Sequence, residues 1–284
     1  MLISTLNITA NNPISDYALG STDAEHERLI RQAVRLAPLT ERLFREAGIA
    51  PGQSVLDLGS GVGDVAILVA RLVGPSGKVL GIERDARSVA RARSRVAEAG
   101  LHNVSFSQCD VNQITSDEPF DATVGRLILE WVPDPVGVLR SLSYLVRPGG
   151  ILAFHEPSNA AFLAPFADLP LWSAAASLIP EILRRSGANP EMGLALNRIF
   201  QEAGLPAPTM RMEMLLGSDP DFTRWTYDVL CSLRPQIQEL KASLEMLGDF
   251  DTLLERLQAE VTMSKSVVPI LALVGAWARK PEDY

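Results

Sequence analysis

The sequence is poor in the residues that build metal and redox centres. It holds 2 cysteines and 3 histidines among 284 residues. Cys109 and Cys231 have neither metal-motif nor redox-pair spacing, and such sparse use fits a reduced, cytoplasmic location. His26, His102 and His155 are scattered, which argues against zinc, and no metal is expected. Basic charge is also short. The formal net charge is −8, whereas binding to a phosphate backbone needs a basic surface, so nucleic acid is not the expected partner. The arginines at 84, 87, 91, 93 and 95 are a local exception, read as the solvated face of a helix. No apolar run reaches the length of a membrane span. The first residues lack the basic-then-apolar order of a secretion signal. What remains is a chain with 47% apolar residues, enough for a sizeable core.

The most informative stretch is Val55-Leu-Asp-Leu-Gly-Ser-Gly-Val-Gly-Asp64. An apolar run reaches an acid, Asp57, then three glycines at alternate positions (Gly59, Gly61, Gly63), then a helical pattern through Val65, Leu68, Val69 and Leu72. A strand feeding a glycine turn that opens a helix lets backbone N–H groups approach a ligand closely. A dinucleotide fingerprint has the order G-x-G-x-x-G, because the helix start must receive a pyrophosphate. Here the third glycine comes one residue early and Asp64 stands in its place. An acid suits a helix N-terminus but repels a phosphate, so the loop suits a ligand without one.

Strand and helix signals alternate from residue 51 to 157. Strands are expected at 53–58, 78–83, 103–108, 120–125 and 150–156, with helices at 63–73, 86–99 and 134–146. This alternation predicts a parallel sheet with helices on both faces. Ahead of it, 23–47 reads as helical with Thr22 or Asp23 as N-cap, interrupted at Pro38. After it, 158–205 reads as mainly helical, 207–216 as a strand, about 220–247 and 250–263 as helices, and 267–278 as an apolar strand. The expected organisation is a helical lid (1–50), a core (51–157), a helical cap (158–206), and a return to the core (207–284) with a helical insertion at about 220–263.

Three acids close successive strands. Glu83, 20 residues after Gly63, can accept from a ribose hydroxyl pair, although NAD would use the same acid. Asp110 can accept from an adenine amino group while the Val111 N–H donates to a ring nitrogen; a turn aspartate is the alternative. His155 and Glu156 lie at the carboxyl end of the fifth strand, the edge that faces the ligand crevice. They are the candidate bases, but alternation along a strand lets only one point at a substrate. A histidine bonded to a neighbouring helix is equally open, and His26 could act from the lid instead.

Phe120-Asp-Ala-Thr-Val-Gly-Arg-Leu-Ile-Leu-Glu-Trp-Val-Pro-Asp-Pro135 and the turn Arg147-Pro-Gly-Gly150 complete a set of four motifs in order. With the glycine loop they resemble the class I S-adenosylmethionine (SAM) methyltransferases, of the small-molecule, UbiE-like type. The resemblance covers residues 51–157, and the ending Val274-Gly-Ala-Trp-Ala-Arg-Lys-Pro281 is similar too. It implies a Rossmann-like α/β sheet in the order 3-2-1-4-5-7-6, last strand antiparallel, and SAM as cofactor. By the same resemblance Asp57, Gly59, Ser60 and Gly61 line the methionine end of SAM. Glu83, with Arg84 beside it, takes the ribose, and Asp110 with Val111 takes the adenine. Gly125 and Arg126 offer backbone carbonyls to the ammonium and sulfonium. Ser60 stands where many relatives carry cysteine. The segment Tyr17–Gln32 is similar to a lid of bacterial members, which implies that Tyr17, with Gln32 or Arg28, closes over the SAM carboxylate and methyl end.

Glu130 and Trp131 lie where an acceptor could touch them. Phe162, Phe166, Trp172, Met192, Trp225 and Tyr227 would line an apolar acceptor pocket under residues 158–263. The expected activity is methyl transfer to a hydrophobic small molecule: a natural product, a quinone precursor or a lipid-like compound. The alternatives are an NAD(P)-dependent oxidoreductase, for which no Tyr-x-x-x-Lys pair is present, and a SAM-binding protein without transferase activity. A homodimer through the N-terminal helices is a further expectation.

Overall fold

The computed structural model describes residues 19–162 and 168–282. Seven strands form one sheet: β1 (Ser54–Leu58), β2 (Lys78–Glu83), β3 (Val104–Gln108), β4 (Phe120–Arg126), β5 (Val146–Pro157), β6 (Thr209–Gly217) and β7 (Val268–Arg279). Their spatial order is β3-β2-β1-β4-β5-β7-β6. The first five run parallel, and β7 lies antiparallel between β5 and β6. This is the expected Rossmann-like sheet.

Strand alternation divides the core. Val55, Val79, Ala122, Val124, Ile151 and Ala153 pack with Leu43 and Phe44 of α1 (Asp23–Ala47) and with α2 (Asp64–Val73) and α3 (Ala86–Glu98). Leu56, Leu58, Ile82, Leu152 and Phe154 pack on the other face with α4 (Pro135–Leu145) and α7 (Met192–Glu202). A third apolar cluster joins α6 (Pro170–Arg185), α8 (Pro220–Ser232), α9 (Arg234–Glu239) and α10 (Leu253–Ser264) to the start of β7. The short α5 (Asn159–Phe162) follows β5 directly. Among the described residues no helix is long and apolar enough to cross a membrane.

Two expectations are corrected. Pro38 does not interrupt the first helix, which runs unbroken from its Thr22 N-cap to Gly48, a left-handed C-cap with φ of 100°. Proline removes one N–H, whose acceptor would be the Val34 carbonyl, and Val34 is 71% exposed, so water can serve it. The interval 220–247 is not one helix. It divides into α8, α9 and a 3-10 turn at Glu245–Leu247, with Pro235 in the first turn of α9, where a helix start tolerates its missing N–H.

Candidate active site

The glycine turn opens at the carboxyl end of β1. Gly59, Gly61 and Gly63 all have positive φ (62°, 51° and 86°), which only glycine adopts without strain. Gly59 also needs its missing Cβ for space, because a methyl there would strike Ile128 of the loop after β4. Gly125 is packed beneath the same residue: its Cβ would come within 2.9 Å of Ile128 and of the Phe154 ring. The two loops therefore meet through two glycines, and Gly125 itself does not reach the cavity.

A cavity of about 810 Å³ opens along these loops. Gly59, Ser60, Gly61, Glu83, Arg84, Asp110, Val111 and Arg126 line one end. Glu130, Trp131, Gln32 and Trp225 line the other, with Ile179, Leu183, Val229 and Leu271 forming an apolar floor. The structure thus brings together most of the expected site residues. Asp57 is buried and does not line the cavity. Burial holds its pKa well above the ordinary range, against the pull of Arg126 and the Ala66 amide. Glu83 accepts from the Gly61 N–H at 3.0 Å and the Asp85 N–H at 2.9 Å, so it also braces the glycine turn. Asp110 Oδ1 accepts from the backbone and side chain of Asn112. Asp64, at the start of α2, is paired with Arg95 at 2.7 Å. The arginines of α3 are not simply solvated, since Arg87 and Arg91 pair with Asp23 and Glu27 of α1.

His155 and Glu156 point to opposite sides of β5 and do different work. His155 Nδ1 lies 3.1 Å from Thr40 Oγ1 on α1 and does not line the cavity. Thr40 donates to the Leu36 carbonyl and accepts from Arg126, so the proton in the His155 contact belongs to Nδ1. Burial, then Arg126, lowers the His155 pKa to about 3, leaving the ring neutral. Glu156, fully buried, accepts from the N–H groups of Ile128, Leu129 and Glu130 at 3.0–3.2 Å. Burial raises its pKa to about 7 against those three bonds. It clamps the loop that carries Leu127, a non-glycine residue at φ 56°.

Glu130 sits on the clamped loop, 6% exposed, and lines the cavity. Burial lifts its pKa well above the ordinary range, the nearby Glu156 carboxylate adds to this, and the Trp131 side chain and Arg28 oppose it. On α1, Arg28 makes a two-point contact with Glu25 and donates to Gln32, whose Oε1 also accepts from the Trp225 indole at 2.9 Å. Ser232 completes this network through Glu25.

Trp172 and Tyr227 do not line the cavity. Trp172 is buried in the helical cluster, and Tyr227 stacks at 5.7 Å on Phe250 and bonds Cys231. Met192 is buried in the cluster against the sheet. Tyr17, Phe166 and the side chain of Phe162 lie outside the described residues. Asn159 and Gln236 also line the cavity, unforeseen in the sequence. Asn159 is 1% exposed, and its Oδ1 has no partner among the described residues. Gln236 projects from α9. Asn159 follows the end of β5, where the rule for strand ends could have found it. Gln236 has no such signature.

Residues 49–204, more than half of the chain, match the family model described as Methyltransferase domain. The chain belongs to the methyltransferase-domain family. Over 127 residues it is 35% identical to the ubiquinone/menaquinone biosynthesis C-methyltransferase UbiE of Cellvibrio japonicus, covering 43% of this chain and 51% of that protein. Over 123 residues it is 33% identical to an arsenite methyltransferase of Halobacterium salinarum, covering 43% of this chain and 31% of that protein. The methyltransferase domain thus aligns with about half or less of each relative's length. The solved structure of the [4+2]-cyclase SpnF shares the fold, with a TM-score of 0.52 and 20% identity over 86% of this chain and 80% of that one.

Proposed function

We propose that this chain is a SAM-dependent methyltransferase acting on a small, largely apolar acceptor of the natural-product, quinone or lipid-like kind. The observation that carries this reading is the cavity itself, polar along the glycine turn and apolar under α6, α8 and β7. Ligand pockets span roughly 300–1,000 Å³, and this one stands high in that range, as a cofactor with an acceptor requires. Its residues suit SAM in particular. The carboxylates of Glu83 and Asp110 line the glycine-turn end, as a ribose and an amino-bearing base require, and Asp64 at the start of α2 disfavours a pyrophosphate.

When bound, SAM supplies a methyl group activated by its sulfonium. The chain supplies orientation and desolvation. Glu83, beside Arg84, takes the ribose, Asp110 and Val111 take the adenine edge, and the backbone of Gly59 to Gly61 follows the methionine portion. Gln32 and Arg28 approach the carboxylate end from α1, where Tyr17 is proposed to close over it. The carbonyl of Arg126 serves the ammonium side. Glu130 faces the acceptor and receives its proton where the methylated atom carries one, and Glu156 acts through the loop it clamps. His155 has no part in this scheme, since it is bonded to Thr40 away from the cavity. Neither cysteine lines the cavity, which disfavours a thiophilic acceptor such as arsenite. Two free thiols also support a reducing, cytoplasmic setting.

The test is calorimetric titration with S-adenosylhomocysteine and, in parallel, NADH. Binding of S-adenosylhomocysteine alone is expected. Binding of NADH alone, or of neither ligand, overturns the proposal.

A further inference from the structure

The two edges of the sheet differ. At one, β3 is only five residues long. At the other, β6 runs for nine residues without a proline or lysine, and among the described residues no backbone hydrogen bond reaches its outer side. The irregularity at Met214/Leu216 leaves residues 209–214 in regular register. One face of this edge is apolar and exposed: Met212 at 44%, Met214 at 37% and Leu216 at 53%. On the opposite face, Arg211 pairs with Glu46 and Glu213 with Arg42, both partners from α1.

We propose that β6 is a homodimer interface, pairing antiparallel with β6 of a second copy about a two-fold axis through Met212. The sequence is self-complementary about that point. The axis sets Arg211 of one copy opposite Glu213 of the other, and the reverse. On the other face it sets Met210 opposite Met214, and Met212 opposite itself. Each Arg–Glu cross pair joins two existing pairs, giving an alternating row Glu46, Arg211, Glu213, Arg42 across the boundary on both sides of the axis. No other register of two antiparallel copies opposes these two charges to each other twice. Such pairing closes the exposed edge and covers methionines that adapt readily to a partner surface. The alternative surface, α1, is already engaged within the protomer: it is ion-paired to α3 through Asp23 and Glu27 and to α8 through Arg31 and Asp228. No residue of β6 lines the cavity, so this interface stands independently of the methyltransferase reading.

The self-opposed position gives the test. Sedimentation velocity of the full chain should show a dimer. Met212→Lys and Met212→Glu each put two like charges face to face at the axis, and each should weaken the dimer by about tenfold or more. An equimolar mixture of the two variants opposes Lys to Glu and should restore it. A monomeric wild type, a dimer undiminished in both variants, or a mixture that stays monomeric each overturns the proposal. Far-UV circular dichroism and S-adenosylhomocysteine affinity serve as fold controls. If a charge at 212 unfolds the chain, Arg211→Glu sets two acids opposite each other at two points. It should weaken the dimer, and an unchanged dimer is again an overturning result.

Discussion

The two ends of the cavity are made in different ways. The end at the glycine turn is built from backbone and from residues that close consecutive strands: Gly59 to Gly61, Glu83, Asp110 and Val111. Each is fixed by a local signal and a sheet position. The other end is built from side chains that are remote in sequence. Gln32 on α1 meets Trp225 on α8, Glu130 follows β4, Asn159 follows β5, and Gln236 comes from α9. The first end can be conserved in geometry while the second is rebuilt, which is how one fold serves many acceptors. Glu156 joins the ends, because it holds the loop after β4 against which both are formed.

The comparison is sharpened most by removing the Glu130 carboxylate from the second end. Glu130→Gln keeps the shape and the hydrogen-bonding reach but loses the proton acceptor. Turnover of an acceptor whose methylated atom carries a proton should fall by about 100-fold or more, the usual worth of a positioned base. S-adenosylhomocysteine affinity should stay the same. A variant that keeps its turnover removes Glu130 from proton transfer and leaves it as a wall residue. The converse substitution, Glu83→Ala, acts on the first end. It removes the acceptor of the Gly61 and Asp85 N–H bonds and of the proposed ribose contact, so S-adenosylhomocysteine should bind about tenfold more weakly, as expected for hydrogen bonds to a charged group. Unaltered affinity by calorimetry would take Glu83 out of the cofactor site.

The same contrast explains what could be read from the sequence. The strands, the glycine turn and the acids at strand ends were legible, since each has a short-range pattern: period two, alternate glycines, an acid after an apolar run; the strand order came only through the resemblance to a family. The continuous α1 was not, because whether a proline breaks a helix depends on who serves one carbonyl, and that is decided by exposure at Val34. Nor was it legible which aromatics reach the cavity. Trp172, Trp225 and Tyr227 look alike in an apolar helical sequence, yet only Trp225 reaches the cavity, a matter of which helix face packs inward. His155 and Glu156 show the limit most plainly. Alternation predicts that they part, and only the packing of Thr40 against one and three amides against the other tells which side each serves.

These two neighbours also supply the smallest and most specific prediction, because their titrations oppose each other. His155 has a folded pKa of about 3 against an ordinary 6.5, so between those values the unfolded chain holds the proton and the folded chain does not. Its contribution to stability is complete above pH 6.5 and is lost as pH falls toward 3. Glu156 has a folded pKa of about 7 against an ordinary 4.5, so the folded chain holds the proton there. Its contribution is complete below pH 4.5 and is lost as pH rises toward 7. From pH 4.5 to 6.5 the slopes have opposite signs and largely cancel. His155→Gln removes one of them. The stability difference between wild type and variant, from urea unfolding, should therefore grow with pH across that window, by at most about 1.4 kcal/mol per unit. Other buried acids, Asp57 and Glu130 among them, titrate in both proteins and drop out of the difference. A difference that stays constant with pH would mean that His155 is protonated as readily in the folded chain as in the unfolded one, and that burial beside Arg126 does not keep it neutral.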